Sequence, residues 1–196
     1  MAGPLETEVK VKCDDVAALV EAHPELGWRV ATPRHFEDNF VFELPNAALE
    51  RRGSILRMRV VDGRATLTYK GLVPESDTSE MKVREELETG IERGDVLAEI
   101  LGRLGMRRTF RYQKYRTIYA LEVEGGEVLA MRDETPFGDF LEIEGESERV
   151  GSAARSLGID PSRFIRESYI GIQSALCRAR GVPLQDLVFP DRIADS

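Results

Sequence analysis

Cysteine and histidine are scarce in this chain of 196 residues, two of each. Cys13 and Cys177 lie far apart with no metal-ligand spacing, and His23 and His35 are too few for a histidine metal site. This usage suits a reducing compartment, and the expected location is the cytoplasm. Long apolar runs are missing, so no membrane-spanning helix is expected, and the N-terminus lacks the apolar centre of a signal peptide. Basic residues are in deficit: 27 Lys and Arg against 35 Asp and Glu give a net charge of −8. Nucleic-acid binding through global charge is thereby disfavoured. Internal repeats and low-complexity segments are absent, as are a Ser-His-Asp set, a reactive-cysteine environment and a Walker-type glycine loop, so a covalent nucleophile is not expected. What remains is 42% hydrophobic and 32% charged, a globular chain able to bury a core.

The pattern that is present begins almost at once. Glu6, Glu8, Lys10 and Lys12 alternate with Thr7, Val9 and Val11, which predicts a strand with its charges on one face. The alternation returns five times. Arg57 and Arg59 share a face with Ile55; Thr66, Thr68 and Lys70 share another; then Arg84, Glu86 and Glu88, Lys114 and Arg116, and Glu142, Glu144 and Glu146 follow. Two readings stand. A solvated sheet face carries such charges, with weak cross-strand pairing of ~0.2–1 kcal/mol per pair. Alternatively, about eight antiparallel strands in up-and-down order close into a barrel with the charged face inside. Such an interior must be wet, internally paired or filled by a ligand. A polyanion with divalent cations matches both signs: basic side chains clamp phosphate oxygens, and carboxylates hold Mg²⁺ or Mn²⁺.

Elsewhere the chain reads conventionally. A short helix follows Asp14–Asp15, Trp28–Glu43 is extended with a strand from about Phe36, and Asp62-Gly63 marks a tight hairpin. Gly71–Ser79 reads as a mobile loop, and Gly94–Leu104 as an amphipathic helix. Long strands run from Arg107 to Glu146, then a helix over Ser147–Leu157 and another from Asp160-Pro161 to about Arg178. The expected organisation is one domain over residues 1–180 with a surface tail over 181–196. The helical end around Phe164, Ile165, Tyr169 and Ile172 would either plug the barrel or form a homodimer contact.

Glu6-x-Glu8-x-Lys10, Arg57-Met-Arg59, Lys70-Gly71, Arg84-Glu-Glu86-Leu-Glu88, Lys114-Tyr-Arg116 and Asp139-Phe-Leu-Glu142-Ile-Glu144 together resemble, in order, the strands of the CYTH superfamily of triphosphate tunnel metalloenzymes, over roughly residues 5–172. The resemblance implies an α+β fold, an eight-stranded antiparallel tunnel with flanking and C-terminal helices. By position it implies phosphate contacts from Lys10, Arg57, Arg59, Lys70, Arg84, Lys114 and Arg116. It implies Mg²⁺ or Mn²⁺ ligation by Glu6, Glu8, Asp133, Glu142 and Glu144, with Glu86 and Glu88 supporting. Glu6, Glu8, Lys10, Arg116, Asp133 and Glu142 would carry catalysis. Near the end, Arg166-Glu167-Ser168-Tyr169 departs from the family pattern, leaving Arg166 as a candidate only. The implied activity is hydrolysis of inorganic, nucleoside or other organic triphosphate. The alternatives are a class IV adenylyl cyclase, for which Phe36, Phe40 or Tyr112 would stack the base, and a non-catalytic polyphosphate-binding module.

Overall fold

The computed structural model describes residues 5–72 and 81–191, so most of the expected mobile loop lies outside the described residues. Eight strands and four α-helices occur in the order β1 (Leu5–Lys12), α1 (Val16–Ala22), β2 (Arg29–Glu43), β3 (Ile55–Val61), β4 (Arg64–Leu72), β5 (Lys82–Ile91), α2 (Gly94–Arg103), β6 (Arg107–Val123), β7 (Gly126–Thr135), β8 (Gly138–Gly145), α3 (Ser147–Ser156) and α4 (Tyr169–Ala179). The strands form a closed antiparallel barrel in the order β1-β5-β4-β3-β2-β6-β7-β8.

That order corrects the up-and-down expectation. β3-β4-β5 and β6-β7-β8 are meanders, but β1 lies between β5 and β8, and β2 lies between β3 and β6. The links explain it: α1 separates β1 from β2, and α2 separates β5 from β6, so neither pair is tied into a hairpin. Where a hairpin is expected, at Asp62-Gly63, both residues have positive φ (47° and 76°), as a tight two-residue turn requires. β2 begins earlier than expected, and its register slips on both sides of Thr32, beside Pro33, which has no N–H for the ladder.

Most of the apolar core lies outside the barrel. Val9, Val11, Val128, Ala130, Leu141 and Ile143 point outward and meet Val150, Ala153, Ala154 and Leu157, which α3 or its C-cap presents. Each such side chain contributes about 1.5–3 kcal/mol when fully buried. α2 covers a second patch at Phe42, Met58 and Ala65 through Leu97 and Leu101. With both apolar faces turned outward, period-two alternation leaves the charged faces inside.

The C-terminal region also differs from expectation. The helix expected from Asp160 is broken into a turn at Pro161–Arg163, an extended piece, and α4. The break has two causes. The Ile165 N–H donates to the Lys10 carbonyl at 2.8 Å, and Ser168 caps α4 by accepting from the Gly171 N–H. Ile165, Tyr169 and Ile172 then pack with Phe110, Tyr112 and Phe140 of the barrel itself. Within the described part of the tail, Leu187 lies along β6, exchanging backbone bonds of 2.9 Å with residues 111 and 113. Among the described residues no helix is long and apolar enough to cross a membrane.

Candidate functional site

A cavity of about 630 Å³ occupies the barrel. Its charged lining is two-signed: seven basic side chains (Lys10, Arg57, Arg59, Lys70, Lys82, Lys114, Arg116) and six acidic ones (Glu6, Glu8, Glu86, Glu88, Glu142, Glu144). Strand register brings them together. Glu8 stands opposite Lys82 on β5 and Glu144 on β8, Lys10 opposite Glu142, and Lys70 opposite Glu86.

Two expected site residues lie elsewhere. Arg84 is outside the lining and donates to the Gly53 carbonyl. Asp133 is fully buried, and its carboxylate is already taken: Arg116 Nε reaches Oδ1 at 2.6 Å, while Arg116 Nη2, Lys114 Nζ and the Tyr169 hydroxyl reach Oδ2 at 2.6–2.8 Å. With its lone pairs so used, Asp133 anchors the bases of the wall, where the resemblance made it a metal ligand. Arg166 is exposed and outside the lining, and Ser168 and Tyr169 face the cavity in its place. Phe36 and Phe40 share the face opposite Glu37 and Asn39, outside the barrel, so neither can stack a base within it; Tyr112 does line the cavity.

Two arrangements of charge coexist in the wall. In the first, Lys10, Arg116 and Lys114 are locked to Glu142, Asp133 and Glu37. Burial pushes the Glu142 carboxyl up, but the charges of Lys10 and Arg116 outweigh it and hold the group well below the usual range. In the second, Glu6 hydrogen-bonds with both Glu144 and Glu86, and Lys70 sits 2.5 Å from Glu6 and 2.7 Å from Glu86. Burial, then the contact with Glu6, raises Glu144 to about 9 and Glu86 to about 7. Glu6 remains ionised because those hydrogen bonds and Lys70 outweigh its own burial.

Crowded carboxyls of this kind fit a divalent cation, which would replace the protons they share. Among the described residues no three Asp, Glu, His or Cys side chains form a closed cage. A cation here would therefore take only part of its shell from the protein, at Glu6 with Glu144 or Glu86, and the rest from phosphate oxygens and water. That division is the habit of Mg²⁺.

One basic residue has no acidic partner. Arg57 lines the cavity, yet among the described residues no carboxylate lies within ion-pair range of it. Its guanidinium makes only long contacts to the Thr68 and Tyr112 hydroxyls (3.3 and 3.4 Å), and Nε has no partner. A buried cation in this condition calls for an anion.

The CYTH domain model matches residues 4–159. The chain belongs to the CYTH family. A Methanocaldococcus jannaschii protein provisionally named an adenylate cyclase is 30% identical over 176 residues, spanning 86% of the CYTH chain and 98% of that protein. The crystal structure of a Vibrio parahaemolyticus protein, also provisionally named an adenylate cyclase, superposes with a TM-score of 0.71 at 20% identity, covering 85% of the chain and 96% of its own. A Hippeastrum protein, described as an adenylyl cyclase candidate with a dominant triphosphatase activity, gives a TM-score of 0.54 at 18% identity, covering 92% and 97%. The last two likenesses are likenesses of fold.

Two members of the wall were not singled out from the sequence: Lys82 lines the cavity against Glu8, and Glu37 lies buried between Lys114 and Arg59. Tyr169, expected as a plug or a dimer contact, closes the wall behind Lys10, whose Nζ sits 4.4 Å from its ring. Lys82 shares the inward parity of Glu86, so the alternation alone could have found it.

Proposed function

We propose that this CYTH chain is a divalent-cation-dependent triphosphatase, acting on a triphosphate held along the barrel. The observation that carries the reading is Arg57, a cation on the cavity wall with no carboxylate in ion-pair range among the described residues, beside six other basic side chains lining the same space. Arg57 and Arg59 would grip phosphate oxygens from β3, Lys114 and Arg116 from β6, and Lys10 from β1. Their positions are fixed before the ligand arrives, so little reorganisation opposes binding.

Glu6, with Glu144 or Glu86, is the donor set for Mg²⁺ or Mn²⁺, and Glu8 lies beside it on β1. The cation, when bound, supplies neutralisation of phosphate charge and acidification of water. With Glu6 and Glu144 holding the cation, Glu86, whose burial raises its carboxyl above the usual range, would take a proton from the attacking water. Water adds to the terminal phosphorus, the bridging P–O bond breaks, and diphosphate leaves with its charge offset by the arginines and lysines.

The second reading is adenylyl cyclisation, favoured by the name of the M. jannaschii relative. It uses the same clamp, with the ribose 3′-hydroxyl attacking the α-phosphate. The two separate in one experiment: incubate the protein with inorganic triphosphate and with ATP, each with Mg²⁺ or Mn²⁺, and resolve the products. Phosphate release from triphosphate is expected; cyclic AMP as the dominant product would overturn the hydrolase reading.

A further inference from the structure

We infer that Lys82 is a phosphate ligand of the tunnel, held in reserve by Glu8 until a divalent cation draws Glu8 away. The inference rests on the triphosphate reading above and goes beyond the residues that reading uses. Lys82 opens β5, faces Glu8 in register, lines the cavity, and is ion-paired with Glu8; both side chains are largely buried, at 15% and 12% exposure.

The pairing differs in kind from its neighbours. Lys70 is shared by Glu6 and Glu86, so losing either leaves it the other. Lys10 has Glu142 and also donates to the Glu167 carbonyl at 3.0 Å. Among the described residues Glu8 and Lys82 are ion-paired only with each other, so movement of Glu8 toward a cation strands the Lys82 ammonium at the wall. A stranded buried charge is costly, and the atom able to take Glu8's place is a phosphate oxygen. Conversely, a phosphate that attracts Lys82 frees Glu8 for the cation. Each ligand therefore removes the competitor of the other, and the two bind with positive coupling.

This assignment predicts effects of opposite sign from one substitution. Mn²⁺ alone, and inorganic triphosphate alone with chelator present, are titrated calorimetrically into wild type, Lys82→Met and Lys82→Arg. Lys82→Met should bind Mn²⁺ about tenfold more tightly, because Glu8 no longer has a rival, and triphosphate about tenfold more weakly. Lys82→Arg should regain most of the triphosphate affinity. Weakening of both ligands by Lys82→Met, or unchanged triphosphate binding, would overturn the inference. A wild-type protein that binds neither ligand would instead remove the triphosphate reading itself. If Lys82→Met melts early, Lys82→Gln carries the same comparison.

Discussion

Two parts of one barrel wall satisfy their charges in different ways. Around Asp133 the ionic network is nearly complete: Arg116, Lys114 and the Tyr169 hydroxyl fill its carboxylate, Glu142 pairs with Arg116 and Lys10, and Glu37 lies 3.5 Å from Lys114. Around Glu6 three carboxyls crowd against one lysine, and two of them keep protons at pH values where carboxyls are ordinarily ionised. A complete buried network fixes geometry, and breaking it is expensive. An incomplete one is stable only by taking up protons or a ligand. The Asp133 region is thus the frame, and the Glu6 region is the seat.

Substitutions should break the two regions in different currencies. Asp133→Ala leaves Lys114, Arg116 and Tyr169 uncompensated in the wall and should cost about 3–5 kcal/mol of stability, measured by urea unfolding. Glu6→Gln with Glu8→Gln should lower triphosphate turnover by about 10²–10³ in the molecules that fold, and should also lower the unfolding midpoint because Lys82 loses its carboxylate; near wild-type turnover would remove the cation role from β1. Arg57→Ala, deleting a cation in direct ion-pair contact with no carboxylate among the described residues, should weaken triphosphate binding by about 2–3 kcal/mol with a smaller effect on folding. Tyr169→Phe removes one of several donors to Asp133 and should cost about 1.5 kcal/mol. Glu127→Ala, on the exposed pair with Arg29, is the reference for the rest and should stay under about 1 kcal/mol.

The pH dependence sharpens the same contrast. Glu144 has its carboxyl raised to about 9 in the folded protein, so the native state keeps a proton that the unfolded chain releases near pH 4.5. The folded state then binds more protons than the unfolded one, and this group's contribution to stability falls as pH rises from about 5 through 9. Glu142 has the opposite sign: its depressed carboxyl contributes stability above pH 4.5 that is lost on acidification. Glu144→Gln should flatten the alkaline decline seen in thermal melts without ligand. Mn²⁺ should do likewise in the wild type, since it displaces the proton.

Much of this was legible in the chain because period-two alternation makes a strand's face a property of its parity. Glu6, Arg57, Lys70 and Glu142 could each be assigned to a charged strand face before any strand was paired, and the family resemblance turned those faces inward. Parity says nothing of neighbours, however. The insertion of β1 between β5 and β8 arises from crossovers through α1 and α2, and no local signal announces it. Glu37 was hidden because Phe36, Phe40 and Phe42 dominate its segment, and they belong to the outer face. The break before α4 depends on a backbone bond from Ile165 to Lys10, far apart in sequence. Asp133 was placed on the correct face, but its contacts with Lys114, Arg116 and Tyr169 become known only with the register.

The most direct measurement is a crystal structure of the protein with Mn²⁺ and a non-hydrolysable imido analogue of triphosphate, using manganese anomalous scattering to locate the cation. The manganese peak should lie beside Glu6 and within reach of Glu144 or Glu86, with Arg57 contacting a phosphate oxygen and the Asp133 network unchanged. A peak at Asp133, or an analogue bound outside the barrel, would contradict the division of the wall into frame and seat.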